Sequence, residues 1–392
     1  MAVGATRHVL CLNSGSSSLR LALFRDESLL LEAYAEGIAQ GSGELVLRHG
    51  RRGEETRPAH FAHHAEALEQ VLDAFDERAL PHPDAIGHRI VHGGPAHAAP
   101  EQVTPQLIAA LESLIPLAPL HLPPALSAIE AVQARLPGIP QVACFDTAFH
   151  RRMPELAQRF PLPERYWAQG IRRYGFHGLS YEYILAELGG APHGRTVIAH
   201  LGNGASLAAV ADGEPRDTTM GLTPDGGIMM GTRSGDLDPG VLLYLLRGDG
   251  MDTEELERLV EHESGLLGVS GSTADMERLL SQRAADPAAA RAVELFAYQV
   301  RKSIGSLAAV LGGLDRLVFT GGIGEHAAPV RTLICRDLGY LGIKLAPARN
   351  ATHARRISND DAACEVLVIP TDEARMIARH ARRLLDTAET AS

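Results

Sequence analysis

The chain has 392 residues, 45% of them hydrophobic and 22% charged, which is more apolar material than one core normally holds and points to two domains. Its formal charge of −11, from 37 basic and 48 acidic residues, argues against nucleic acid or an anionic membrane as partner, since both favour a basic face. The four cysteines, Cys11, Cys144, Cys335 and Cys364, form no CxxC pair, which speaks against a zinc centre and for a reducing, cytoplasmic setting.

No basic-then-apolar leader opens the sequence, and no apolar run nears the ~20 residues needed to cross a bilayer, so a soluble protein is expected. The first element is a strand over Val9–Leu12, followed by a small-residue turn, Asn13–Ser18, and a second strand over Leu19–Phe24. Arg89 lies in a strand-like run between Gly87 and Gly94. Thr104 and Pro105 open a helix with Leu107, Ile108, Leu111, Leu114 and Ile115 on one face. Val142–Phe145 reads as a strand ending at Asp146, and His177 sits in a glycine-punctuated loop, Arg173–Gly178.

Near the middle the opening design returns: strand Val197–His200, turn Leu201–Ser206, strand Leu207–Ala211. Placing Ser18-Leu19 over Ser206-Leu207 aligns the turns and suggests an internal duplication, one unit per domain. Arg233 occupies a second strand-like run, Gly231–Asp236. Asp286 and Pro287 open a long helix carrying Val293, Phe296, Val300, Ile304 and Leu307, which stops near Gly312-Gly313. Leu317–Thr320 and Val366–Ile369 are short buried strands, the first followed by the turn Gly321–Glu325 and the second by Thr371-Asp372-Glu373 at the head of the last helix. Alternation of this kind predicts an α/β protein with sheets covered by helices.

Three turns, at Asn13–Ser18, His200–Gly204 and Gly321–Glu325, have the small residues that let backbone amides cradle a phosphate; each alone reads more readily as a tight hairpin or helix start, but three of them, each directly after an apolar strand, point to a nucleotide. Arg89 and Arg233, flanked by apolar or small residues, need an anionic partner, which is either a structural aspartate or a substrate bearing carboxylate and phosphate. Asp146 and Glu373, at strand ends, suit a magnesium ion on a nucleotide, against the alternatives of a helix cap and a first-turn acid. His177 alone would pass for a satisfied core histidine; its loop makes a catalytic role plausible.

Jointly, LNSGSSSLR (residues 12–20), YGFHGLSY (174–181), GHRIVHGG, FDTAFH, HLGNG, MGTRSGDLDPG and FTGGIGEH (319–326) resemble the acetokinase family, of the acetate and sugar kinase, heat-shock chaperone and actin superfamily, over nearly the whole chain. The resemblance implies a duplicated actin-like, ribonuclease H-like ATPase fold of two domains with a cleft between them. The expected boundaries are 1–148 plus 374–392 for the first domain and 149–373 for the second. It implies catalytic roles for Asp146, His177, Arg233, Arg89 and His121, and places Asn13, Glu373 and Asp146 around Mg²⁺, or Mn²⁺ in its stead. Nucleotide contacts are implied for Arg20, His200, Leu201, Gly202, Asn203, Gly204, Asp275, Met276, Glu277, Gly322, Ile323, Gly324, Glu325 and His326. Arg89, Val91, Leu120, Phe176 and Pro224 would hold the acyl substrate.

The implied reaction is reversible transfer of the ATP γ-phosphoryl group to acetate by direct in-line attack, in a cytoplasmic homodimer. The alternatives are propionate or butyrate as acceptor, pyrophosphate as donor, and a non-catalytic ATP-binding module of the same fold. The chain departs from the family at Arg20 (lysine there), Leu122 (asparagine), Leu179 and Tyr181 (threonine and histidine), Glu277 (arginine) and His326 (asparagine).

Overall fold

β1 (His8–Ser14) is apolar at every buried position but its last, Ser14, and pairs antiparallel with β2 (Ser18–Arg25), closing at Ser14 opposite Leu19. This is a computed structural model, and it describes residues 6–15, 17–49, 53–189 and 194–391. Ser16, within the first glycine–serine turn, lies outside the described residues. β3 (Ser28–Glu36), β4 (Gly43–His49) and β5 (Gly53–Ala59) extend the sheet on one side. On the other side of β1 come β6 (Ala85–Ile90) and β8 (Gln141–Phe145), both parallel to it, with the two-residue β7 (Glu101–Gln102) at the edge. The order is β5-β4-β3-β2-β1-β6-β8-β7.

The second sheet has the order β11-β10-β9-β12-β13, built from β9 (Arg195–Leu201), β10 (Ala205–Ala211), β11 (Glu214–Thr218), β12 (Arg316–Thr320) and β13 (Glu365–Val368). An antiparallel meander, β11-β10-β9, is followed by two parallel strands. The first sheet contains the same arrangement as β3-β2-β1-β6-β8. The duplication read from the two turns is therefore present in the topology. The turns themselves differ: the first leaves residues 15–18 between paired positions and the second only 202–204.

Contacts divide the chain into two compact units. The first runs through Phe149 and includes Gly178–Tyr183 and the segment from Asp372 onward; the second comprises His150–His177 and Ile184–Thr371. In the first unit, Val9, Cys11, Phe24, Val142 and Cys144 pack against Ile377, Ala378 and Ala381 of the helix Glu373–Ala391. Gly87 makes this possible, because a Cβ there would lie 2.3 Å from Ile377 Cγ2.

In the second unit the helix Pro287–Leu311 has the predicted signals: Asp286 accepts from Ala288 N–H, Pro287 is the first helical residue, and Gly312 caps it in the left-handed region at φ 68°. The helix predicted at Thr104 is also present, as Pro105–Ser113, with Thr104 Oγ1 accepting from Leu107 N–H at 3.1 Å. Among the described residues no helix is long and apolar enough to cross a membrane.

Candidate active site

Three parallel strands bring the first cluster together, at the carboxyl ends where α/β sheets collect ligand sites. Asn13 is near the end of β1, Arg89 near the end of β6, and Asp146 directly after β8, where its N–H continues the ladder to Ile90 O at 2.9 Å. Arg89 donates through Nη2 and Nε to Asp146 Oδ2, at 2.5 and 3.0 Å, and through Nη1 to Asn13 Oδ1 at 3.1 Å. Glu373, first residue of its helix, stands 3.6 Å from Arg89 Nε. The structure shows the first of the two partners considered for Arg89, an aspartate, and that aspartate is one of the residues expected at the site.

Asp146 is fully buried, and its Oδ1 has no hydrogen-bond partner. Burial raises its pKa, Arg89 opposes the rise, and Glu373 adds to it. Burial works against the Arg89 charge, but Asp146 and Glu373 outweigh it and raise the guanidinium pKa.

Asn13, Arg20 and Arg89 border a cavity of about 270 Å³ together with Tyr34 and Glu36. Arg20 is already engaged, 2.6 Å from Glu32 and over the Tyr34 ring. Gly15 N–H closes its turn on Ser18 O at 2.8 Å, so it is not one of the free amides expected of a phosphate cradle. Val91 is buried, while Leu120 and His121 are half-buried just before the helix Leu122–Arg135. Leu122, Leu179 and Tyr181 are buried in the first unit, so these three departures from the family are packing residues.

The second unit carries the other expected groups. His177 adopts the left-handed backbone region at φ 59°, an uncommon choice for a non-glycine residue, at the start of the helix Gly178–Glu187. It is buried, its Nδ1 lies 2.9 Å from Ser206 Oγ, and its ring stacks on His200 at 4.2 Å. His200 and Ser206 are cross-strand neighbours, which fixes both contacts.

Arg233 is not in a strand, contrary to its strand-like sequence. It lies in an irregular loop in which Met230 N–H donates to Arg233 O and Asp236 N–H to Gly227 O. Gly235, at φ 72°, sits where a Cβ would meet Ile228 backbone at 2.5 Å, and Gly231 lies against Asn203. Alternating small residues here serve loop closure rather than a sheet. The Arg233 side chain donates to Pro224 O at 3.2 Å, with Asp225 Oδ1 3.3 Å from Nε. A Cβ on Gly204 would lie 3.4 Å from His177 Nε2 and 3.6 Å from Arg233 Nη1, so both groups border one small space. Phe176 and Pro224 are buried in this unit.

A cavity of about 680 Å³ in the second unit is lined by Gly202, Asn203, Thr273, Ala274, Asp275, Met276, Glu277, Leu280, Gly322, Ile323, His326 and Ala327. It draws together three of the segments expected to contact nucleotide. His200, Leu201, Gly204, Gly324 and Glu325 are outside its lining. Glu325 turns inward, where its Oε1 accepts from Gly321 N–H at 2.9 Å and Thr371 N–H at 3.1 Å. Asp275 Oδ1 caps the helix Met276–Gln282 by accepting from Glu277 N–H at 2.8 Å. Gly321–His326 is a short helix directly after β12, not an open turn.

Sequence reasoning missed four contributors. Ser206 orients His177, Asp225 meets Arg233, and Leu280 completes a cavity wall one helical turn after Met276. Arg331, fully buried, donates to Gly324 O at 2.8 Å and Glu325 O at 2.9 Å, holding the end of the Gly321–His326 helix. The helical spacing of Leu280 was a usable signal; the other three needed the fold.

The acetokinase family pattern matches residues 8–379. The chain belongs to the acetokinase family. It is therefore a kinase, a phosphotransferase with a carboxyl group as acceptor. It is 47% identical to an acetate kinase of Rhodopseudomonas palustris over 96% of this chain and 98% of that protein. It is 42% identical to a propionate kinase of Citrobacter rodentium, covering 96% of each. Its structure resembles the Porphyromonas gingivalis acetate kinase with a TM-score of 0.87 at 37% identity, covering 97% of this chain and 100% of that one. This family member has the duplicated actin-like α/β fold expected from its motifs.

Proposed function

We propose that the protein is an acetate kinase that transfers the γ-phosphoryl group of ATP directly to acetate, giving acetyl phosphate and ADP. The observation that carries this reading is the approach of Arg233 and His177 to one space beside Gly204, with the neighbouring Gly202 and Asn203 lining the large cavity. ATP would occupy that cavity, with its phosphates toward Gly202–Gly204.

The acceptor carboxylate is ionised at neutral pH, since carboxyl groups in water titrate near pH ~4, so no general base is needed. Phosphoryl transfer then becomes a matter of alignment and charge neutralisation. Arg233 and His177 would stabilise the equatorial oxygens, and Arg89 would hold the carboxylate. The family resemblance assigns contact with the methyl group to Val91 and Leu120 of the first unit and to Phe176 and Pro224 of the second.

Among the described residues no group of three or more His, Cys, Asp or Glu could hold a metal ion. A magnesium ion on a nucleotide needs only one or two carboxylates beside phosphate and water. Asn13, Asp146 and Glu373 fit that need with oxygen donors, and the orphaned, buried Asp146 Oδ1 calls for a cation. When bound, magnesium supplies charge neutralisation at the phosphate oxygens.

Propionate is the second reading, favoured by the resemblance to a propionate kinase at 42% identity. One methylene is worth only about 1–3 kcal/mol of discrimination. The test is a panel of acetate, propionate and butyrate, each with ATP or pyrophosphate, read by trapping the acyl phosphate as hydroxamate. Acetate with ATP is expected to give the highest kcat/KM. Slow ATP hydrolysis without any hydroxamate would leave only an ATP-binding module.

A homodimer belongs to the same proposal. The helix Pro239–Arg247 has no buried residue and exposes Val241, Leu243 and Tyr244 by 43%, 46% and 65%. A second copy of the chain would cover that apolar face. Sedimentation at micromolar concentration should return twice the chain mass; a persistent monomer would remove this part of the reading.

A further inference from the structure

Glu277 lies in the first turn of the helix Met276–Gln282, exposed to solvent and on the wall of the 680 Å³ cavity. Among the described residues its carboxylate makes no hydrogen bond or ion pair, because the helix cap is supplied by Asp275 instead. His326, 77% exposed, lines the same cavity from the Gly321–His326 helix. The remaining side chains of the wall are apolar at Ala274, Met276, Leu280, Ile323 and Ala327 and polar at Asn203, Thr273 and Asp275, the last of which is already engaged through Oδ1 with the backbone N–H groups of Glu277 and Arg278.

An ionised carboxylate only accepts hydrogen bonds and repels phosphate. A nucleotide entering this cavity must therefore turn its phosphates away from Glu277 and present a donor to it. ATP has two kinds of donor to offer, the ribose hydroxyls and the exocyclic amino group of the base. We infer that Glu277 is a specificity-determining residue that takes a hydrogen bond from the nucleoside and so sets both the orientation and the choice of nucleotide. The inference rests on the assignment of this cavity to ATP made above.

The competing explanation is a first-turn acid that merely complements the helix dipole. That role would change helix stability without altering the ranking of nucleotides. Calorimetric titration of the full-length protein with ATP, 2′,3′-dideoxy-ATP and inosine triphosphate separates the two. In the unaltered protein, the analogue lacking the recognised donor should bind about tenfold more weakly than ATP, as expected for a hydrogen bond to a charged group. In Glu277→Ala, ATP itself should weaken about tenfold and that penalty should vanish. Equal ATP-to-analogue ratios in both proteins, for both analogues, would overturn the inference. A parallel Ile323→Trp variant, with folding checked by circular dichroism, obstructs the cavity. ATP binding that survives the obstruction would instead overturn the assignment of the cavity to nucleotide.

Discussion

Arg233→Ala is expected to lower kcat on the order of 10³-fold while leaving the KM for ATP nearly unchanged. A loss of that size matches the contribution of arginines that stabilise transferring phosphoryl groups. The split between the two constants follows from placement. Arg233 borders the space beside Gly204 with His177, but it is not part of the cavity lining. The loop should survive the change, because its closure uses the Arg233 backbone, Gly231 and Gly235. Arg233→Lys keeps the charge but not the planar fork and should recover only part of the rate. Steady-state kinetics in the acetyl-phosphate-forming direction checks both variants. A kcat for Arg233→Ala within a few fold of the unaltered enzyme would remove this residue from the mechanism.

Asp146→Asn should cost activity and stability together. The carboxylate is fully buried and takes two hydrogen bonds from Arg89, so the amide leaves the guanidinium with the neutral Asn13 Oδ1 at 3.1 Å and with Glu373, at 3.6 Å, as its neighbouring carboxylate. Breaking a buried ion pair by removing one partner costs about 3–5 kcal/mol, and the remaining Glu373 argues for the lower end, about 3 kcal/mol. Loss of a preorganised charge at the transferring group should reduce kcat by at least about 10²-fold. Urea unfolding measures the first effect and hydroxamate trapping the second. An unchanged unfolding midpoint would mean that the Arg89–Asp146 pair contributes nothing to the fold.

The sequence was most readable where local and global preferences agree. β1, β8 and the helix Pro287–Leu311 have the periodicity, caps and terminal glycine that their final environments require. The duplication was legible from two short turns because each connects the central hairpin of its own sheet. Arg233 was misread as strand because alternating small and polar residues satisfy a β pattern, whereas the loop is defined by backbone conformations at glycine. The left-handed conformation of His177 has no sequence signature at all. Asp275 and Glu325 show another limit. An acidic residue beside a ligand segment looks the same in sequence whether it faces the ligand or caps a backbone, and both cap. Departures from the family divide likewise by burial, which only the fold supplies: Leu122, Leu179 and Tyr181 are buried, while Glu277 and His326 line a cavity.

The last helix has a consequence for how the chain is made. Met376, Ile377, Ala378 and Ala381 cover Val9, Cys11, Ala85, Val142 and Cys144, residues synthesised more than two hundred positions earlier. During translation that face of the first sheet has only Leu179 and Tyr183 of the intervening chain to cover it until residues 376–381 clear the ribosome. By then the whole stretch from His150 to Thr371, apart from one short segment, has been available to form its own body. The first unit is thus completed only after the second has been made, so its nascent form must carry a partly uncovered apolar surface for chaperones to shield while His150 to Thr371 is synthesised.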